Sequence, residues 1–162
     1  MSTASMWERD DLAHELRHLR ERSPGLRVVL ANGCFDLLHV GHVRYLEDAA
    51  MQGDLLVVAL NTDESVRALK GAGRPLIPLA ERAELVHALR CVDYVTSFAE
   101  PTLEATLREL TPAVHAKGGD YTLDNVPEAA VDAELGIEIV ICGGAKVRSS
   151  SEWIARSRGE RP

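Results

Sequence analysis

A single α/β domain, built on one doubly wound, Rossmann-like parallel sheet with helices on both faces, is the fold this sequence predicts. Three observations predict it. Apolar runs of strand length alternate with segments of helical periodicity along the chain. The runs are continuously apolar, as in Leu55-Leu56-Val57-Val58-Ala59-Leu60, which marks strands buried on both faces rather than one. No repeat, low-complexity tract or linker interrupts the alternation, and 162 residues suffice for one core burying roughly 70% of the unfolded surface.

The elements follow in order. Leu12, Leu16 and Leu19 recur at helical spacing from about Trp7 to Arg22, and Ser23-Pro24-Gly25 ends the pattern with three turn formers. This amphipathic leader takes residues 1–25 and the domain proper 26–162; leucines on one face either cover their own sheet or join a dimer, and a homodimer is expected. Arg27 to Ala31 reads as a buried strand, Asn32 to Asp36 as a loop, and Gly41 to Met51 as a helix. A strand over 54–60, a helix near 63–69, a Gly/Pro-rich crossover 70–78 and a helix 79–90 come next. They are followed by strand 93–97, helix 101–110, strand 113–116, a polar loop 117–125, helix 127–135, strand 137–142 and a last helix 149–157. Ligands of such sheets bind beyond the carboxyl ends of the strands, so chemistry is expected in the loops after 31, 60, 97, 116 and 142.

Composition narrows the function. With 46% hydrophobic and 27% charged residues the chain is ordinary for a soluble protein, and no apolar stretch approaches the ~20 residues of a membrane span. The first residues lack a basic n-region and an apolar h-region, so a cytoplasmic protein without a secretory signal is expected. A net charge of −7, from 18 basic and 25 acidic residues, disfavours nucleic acid as a partner, which needs a broad basic surface. Cys34, Cys91 and Cys142 are odd in number and widely spaced, suggesting reduced thiols rather than a disulfide framework or zinc site. The basic residues are 15 Arg and only three Lys, and each lysine stands beside or near glycine.

Neither G-x-G-x-x-G nor G-x-x-x-x-G-K-[ST] occurs, which removes the usual signatures of hydride transfer and P-loop hydrolysis. The loop after the first strand instead reads Asn32-Gly33-Cys34-Phe35-Asp36-Leu37-Leu38-His39-Val40-Gly41-His42. It places two histidines three apart at the opening of a helix. Free backbone N–H groups and the positive helix end attract phosphate, Gly41 lets it approach closely, and imidazoles can donate to its oxygens. The competing reading makes one histidine a turn cap and the other a core residue; a metal pair lacks a third ligand. Ser149-Ser150-Ser151-Glu152 fits a capping box, and equally a cradle for polyphosphate with Arg148 as neutralising cation. Lys117-Gly118-Gly119-Asp120-Tyr121 is a plain turn or a cation on a pliant backbone at the sheet's ligand edge. Asn61-Thr62-Asp63 can cap a helix, and Lys70-Gly71-Ala72-Gly73-Arg74-Pro75 is a solvated turn or a mobile phosphate clamp.

Taken together, over about residues 27–157, these segments resemble the cytidylyltransferase-like nucleotidyltransferases, whose signature is H-x-G-H after the first strand and a hydroxyl cluster opening the last helix. Within that superfamily the chain looks most like the adenylyltransferases of ADP-heptose synthesis. The marks are Asn32 to Asp36, His39 to His42, Asn61-Thr62-Asp63, Lys70-Gly71 with Arg74-Pro75, Glu81-Arg82, and Lys117 to Tyr121. Ser149-Ser150-Ser151 stands where the family usually has Ser-Thr-Thr and retains the hydroxyls, whereas Lys146-Val147-Arg148 departs from the usual stretch. The sugar-kinase domain that some relatives carry is not in this sequence, so a separate kinase is expected.

The resemblance implies transfer of AMP from ATP to D-glycero-β-D-manno-heptose 1-phosphate, with Mg2+ carried mainly by substrate phosphates. It implies that His39, His42, Lys70 and Arg148 stabilise charge during transfer. Gly33, Cys34, Phe35, Gly41, His42, Lys117, Gly118, Gly119, Ser149, Ser150 and Ser151 would bind the nucleotide. Asp36, Lys70, Arg74, Asn61 and Asp63 would serve the acceptor. A cytidylyltransferase acting on glycerol 3-phosphate or another alcohol phosphate is the alternative, and a nucleotide sensor without catalysis the third.

Overall fold

A computed structural model describes residues 6–144, 154, 155 and 157. Five parallel strands form one sheet in the order β3-β2-β1-β4-β5. They are β1 (Val28–Gly33), β2 (Leu55–Asn61), β3 (Tyr94–Phe98), β4 (Val114–Gly118) and β5 (Glu138–Cys142). Over residues 6–144 six helices connect and cover them: α1 (Arg9–Arg22), α2 (Val40–Ala50), α3 (Asp63–Lys70), α4 (Leu79–His87), α5 (Glu104–Leu110) and α6 (Ala129–Leu135). None of the helices among the described residues is long and apolar enough to cross a membrane.

Period-two alternation along the strands explains the double winding. Val29, Ala31, Leu56, Val58, Val114 and Ala116 point into one core, closed by Leu46 and Ala49 of α2 and Ala83 and Val86 of α4. Their neighbours Val28, Leu30, Val57 and Ala59 point into a second core, closed by α1, α5 and α6 through Leu12, Leu16, Leu107 and Val131. Both faces of the central strands are therefore filled, as continuous apolar runs require. The leader helix covers its own sheet: Leu12 and Leu16 are fully buried, each worth about 1.5–3 kcal/mol relative to exposure.

Helix α4 ends at His87 rather than 90, α6 starts at Ala129 rather than 127, and other ends shift by a residue or two; three differences have a local reason that bears on the site. Asn32 and Gly33 belong to β1 because they keep parallel register with Ala59 and Leu60 of β2. Lys117 and Gly118 likewise extend β4 opposite Ile141 and Cys142 of β5. Helix α5 starts at Glu104 rather than 101, the Leu103 amide being bound by the side chain of Glu128. Of the expected helix 149–157 only 154, 155 and 157 are described, and they are helical.

The chain winds from β1 outward through β2 to β3, then returns to place β4 on the other side of β1. The reversal lies between the carboxyl ends of β1 and β4, where a sheet of this kind opens a crevice.

Candidate active site

A cleft of about 740 Å³ opens at that point. Its floor is the end of β1, Asn32 to Phe35; one side is the start of α2 with Lys70, and the other is formed by the segments after β4 and β5. Gly33, Cys34, Phe35, His39, Gly41, His42, Asn61, Lys70, Lys117, Gly118 and Gly119 all line it, so eleven of the expected site residues are brought together. Arg148, Ser149, Ser150 and Ser151 lie outside the described residues.

Both histidines act as backbone caps and line the cleft, and neither is a core residue, so of the competing reading the capping half holds, for both rings. His39 is the N-cap of α2, and its Nδ1 accepts from the Gly41 amide at 3.1 Å. The His42 Nδ1 in turn accepts from the His39 amide at 3.4 Å. An acceptor Nδ1 on a neutral ring requires the proton on Nε2, so each imidazole carries its donor on that nitrogen. Burial, then the neighbouring His39 and Lys70, push the His42 pKa down to about 4, so it is a neutral donor at physiological pH. Phe35, held at a φ of 47°, sets its ring 5.0 Å from that of His42. Gly33 makes room for that ring: a Cβ there would lie 2.9 Å from Phe35 Cε2.

At the opposite end the charges cancel. Lys117 is buried, and its ammonium reaches Asn32 Oδ1 and Glu128 Oε2, each at 3.3 Å, and stands 4.5 Å over the Tyr121 ring. Burial alone would raise the Glu128 pKa, but Lys117, the Leu103 amide and His115 together hold it below the ordinary carboxylate value. The segments after β4 and β5 cross so closely that a Cβ on Gly119 would lie 1.9 Å from the Gly144 carbonyl oxygen. Gly143 is tied by its amide to Asp48 of α2 at 2.8 Å. Tyr45, also on α2, donates its hydroxyl to the Ala116 carbonyl at 2.8 Å, fixing α2 against β4.

Three expected acceptor-side residues do not reach the cleft wall. Asp36 is fully buried and accepts from the amides of Leu76 and Ile77 and from Arg74 Nε, so it anchors the crossover from within. Burial opposes its ionisation, yet the Ile77 amide, Arg74 and the Leu76 amide outweigh that and hold its pKa low. Arg74 is spent on Asp36. Asp63 accepts from Arg82, a fully buried side chain that also donates to the carbonyls of Ile77 and Cys34. Arg82 thus links the crossover, α3 and the cleft floor. Asn61 does line the cleft, accepting from the Cys34 thiol at 3.6 Å and donating to Ser65 Oγ at 2.9 Å; burial pushes that thiol's pKa up.

Glu128 is the site residue that sequence reasoning missed. It sits at the opening of a helix, where an acidic residue is ordinary, and only the fold reveals Lys117 beside it. Among the described residues no cluster of three or more His, Cys, Asp or Glu side chains could hold a metal ion.

The chain is similar to several known proteins. The sequence profile of the family described as cytidylyltransferase-like matches residues 30–154. The chain is similar to the bifunctional protein HldE of Hydrogenovibrio crunogenus, 51% identical over 138 residues that cover 85% of this chain and 28% of that relative. It is similar also to the bifunctional protein HldE of Geotalea uraniireducens, 54% identical over 127 residues covering 78% of this chain and 24% of the relative. The chain therefore spans between about a quarter and three-tenths of the length of these curated relatives. A lipopolysaccharide core biosynthesis protein from Thermoplasma volcanium superposes with a TM-score of 0.64 at 28% identity, covering 75% of this chain and all of that one.

Proposed function

This chain belongs to the cytidylyltransferase-like family, and from that premise we propose that it transfers the AMP part of ATP to D-glycero-β-D-manno-heptose 1-phosphate, giving ADP-heptose and pyrophosphate. The observation that carries the reading is the His39–His42 pair at the start of α2, two imidazoles with their donor nitrogen at Nε2, inside a cleft of nucleotide size. About half of the residues are shared with the HldE relatives across this segment, which supports the heptose reading over a cytidylyltransferase. Activated heptose can feed lipopolysaccharide, surface-layer glycans or a secondary metabolite, and the first is supported by the similar Thermoplasma volcanium chain, a lipopolysaccharide core biosynthesis protein.

The electrostatics orient the substrate. His39, His42, Lys70 and the N-terminus of α2 make one end of the cleft electropositive, while Lys117 at the other end is neutralised by Glu128. A triphosphate belongs at the first end and a nucleoside at the second, against Gly118 and Gly119. The acceptor phosphate, with a second pKa near ~6, is already largely ionised at pH 7 and needs no base. Its oxygen attacks the α-phosphorus in line, forms the new P–O bond and expels pyrophosphate. What the chain contributes is alignment and hydrogen bonds to the developing charge, from Nε2 of His39 and His42 and from Lys70. Arg148 and Ser149 to Ser151 complete the phosphate contacts in this reading. Magnesium would be carried on phosphate oxygens, since the donors offered at the phosphate end are nitrogens rather than carboxylates. Lys70 serves the acceptor side; Asp36 and Arg74 serve it only by shaping the crossover.

The reading extends to a cytoplasmic homodimer.

Pyrophosphate release, measured from ATP and from CTP, each with heptose 1-phosphate and with glycerol 3-phosphate, tests the proposal. Release from ATP with the heptose is expected. Release from CTP with glycerol 3-phosphate would replace it by the cytidylyltransferase reading, and tight nucleotide binding without release would make the protein a sensor.

A further inference from the structure

Strand β4 and helix α6 are joined by two buried side-chain pairs in register, one a hydrogen bond between an imidazole and a carboxylate and the other an ion pair. His115 and Lys117 stand two residues apart on β4 and so share a face; Glu128 and Asp132 stand four apart across the first turn of α6 and so share a face of that helix. Two strand residues span about 6.6 Å and four helical residues about 6 Å, so the pairs match when the two elements run antiparallel. The contacts are His115 Nδ1 to Asp132 Oδ2 at 2.9 Å and Lys117 Nζ to Glu128 Oε2 at 3.3 Å. The outer pair reaches the cleft; the inner pair is completely inaccessible, both side chains having no exposed surface.

The inner pair is a poor device for stability alone. Among the described residues His115 Nε2 and Asp132 Oδ1 are buried without a hydrogen-bond partner, and well-packed apolar residues of similar volume would avoid that penalty. What it does supply is register. Asp132 lies one turn beyond Glu128, and its amide donates to the Glu128 carbonyl at 2.9 Å. Fixing Asp132 on His115 therefore fixes where the Glu128 carboxylate meets Lys117 and the Leu103 amide.

We propose that His115 and Asp132 are positioning residues, a buried latch that sets α6 on β4 and thereby holds Glu128 and Lys117 in place at the nucleoside end of the cleft. Its consequence for ATP rests on the function proposed above; its consequence for the Leu103 amide does not.

The test uses the full chain and the double variant His115→Leu/Asp132→Leu, with Asp132→Asn, which keeps an acceptor for the imidazole, as the rescue. Expected for the double variant are hydrogen exchange at the Leu103 amide about tenfold faster or more, and an ATP KM raised about tenfold, the size of one charge-assisted hydrogen bond. Turnover at saturation should change far less, and Asp132→Asn should restore both readouts. Unchanged exchange at Leu103 would overturn the latch; faster exchange with an unaltered ATP KM would reduce it to a structural contact and overturn its bearing on the site. If the wild-type protein binds no ATP, the proposed function falls while Leu103 exchange still decides the latch. Should the double variant not fold, Asp132→Ser, which withdraws the acceptor from His115, gives the same readouts.

Discussion

The imidazole rings of His39 and His42 stack with 3.9 Å between their centres, and the backbone amide of the first donates to the second. One pair of side chains thus both starts helix α2 and lines the cleft. The two jobs can be separated by mutation. His39→Asn keeps a side chain suited to capping but lacks an Nε2 donor, whereas His39→Ala loses both. Turnover should fall roughly 100-fold or more in each, while only the alanine variant should lose about 0.5–2 kcal/mol of stability. Pyrophosphate release and denaturant melts check the two halves.

His42 gives the protein a defined weakness in acid. Its pKa is about 4 in the fold against 6.5 ordinarily, so below 6.5 the unfolded chain binds a proton that the native state refuses. Stability from this group is complete above pH 6.5, declines as pH falls, and bottoms out below 4. The gap corresponds to about 3 kcal/mol. In His42→Asn the decline between pH 6.5 and 4 should shrink; an unaltered pH profile of stability would contradict the buried, neutral imidazole.

Asp36 shows where reasoning from sequence stops. The alternation of apolar runs and the H-x-G-H spacing made the sheet, the crevice and the histidine pair that lines it legible, because both are local patterns. An aspartate three residues before His39 looks like a substrate ligand for the same local reason. Its partners, the amides of Leu76 and Ile77 and the guanidinium of Arg74, are about 40 residues away and no spacing reveals them. Glu128 against Lys117 and His115 against Asp132 were hidden in the same way, each half being ordinary until β4 and α6 are packed.

The Asp36 assignment carries its own test. Asp36→Asn would leave the Arg74 guanidinium, 11% exposed, without its counter-ion, and breaking such a pair costs about 3–5 kcal/mol. The carboxyl pKa is held below 3.8, so its contribution is complete above that value and vanishes as pH falls through the lower, folded one. Wild type and variant should therefore differ in melting temperature at pH 7 and converge in strong acid. A variant as stable as wild type at pH 7 with only a raised acceptor KM would return Asp36 to the substrate.

Gly119 should prove the most sensitive glycine of the cleft, and its neighbour Gly118 much less so. A Cβ at 119 would lie 1.9 Å from the Gly144 carbonyl oxygen, which is backbone and cannot swing away; at 118 the nearest atom is Asp120 Oδ1 at 3.0 Å, on a side chain that can. In Gly119→Ala the segment after β5 must move, and with it Gly143, whose amide holds Asp48. Overpacking of this kind costs roughly 1–3 kcal/mol. Falling on the wall that would receive the nucleoside, it should weaken ATP binding by about 5- to 150-fold, and by clearly more than Gly118→Ala does. Calorimetric titration of both variants decides it: equal losses would mean that the crossing of the two segments does not shape the nucleotide site.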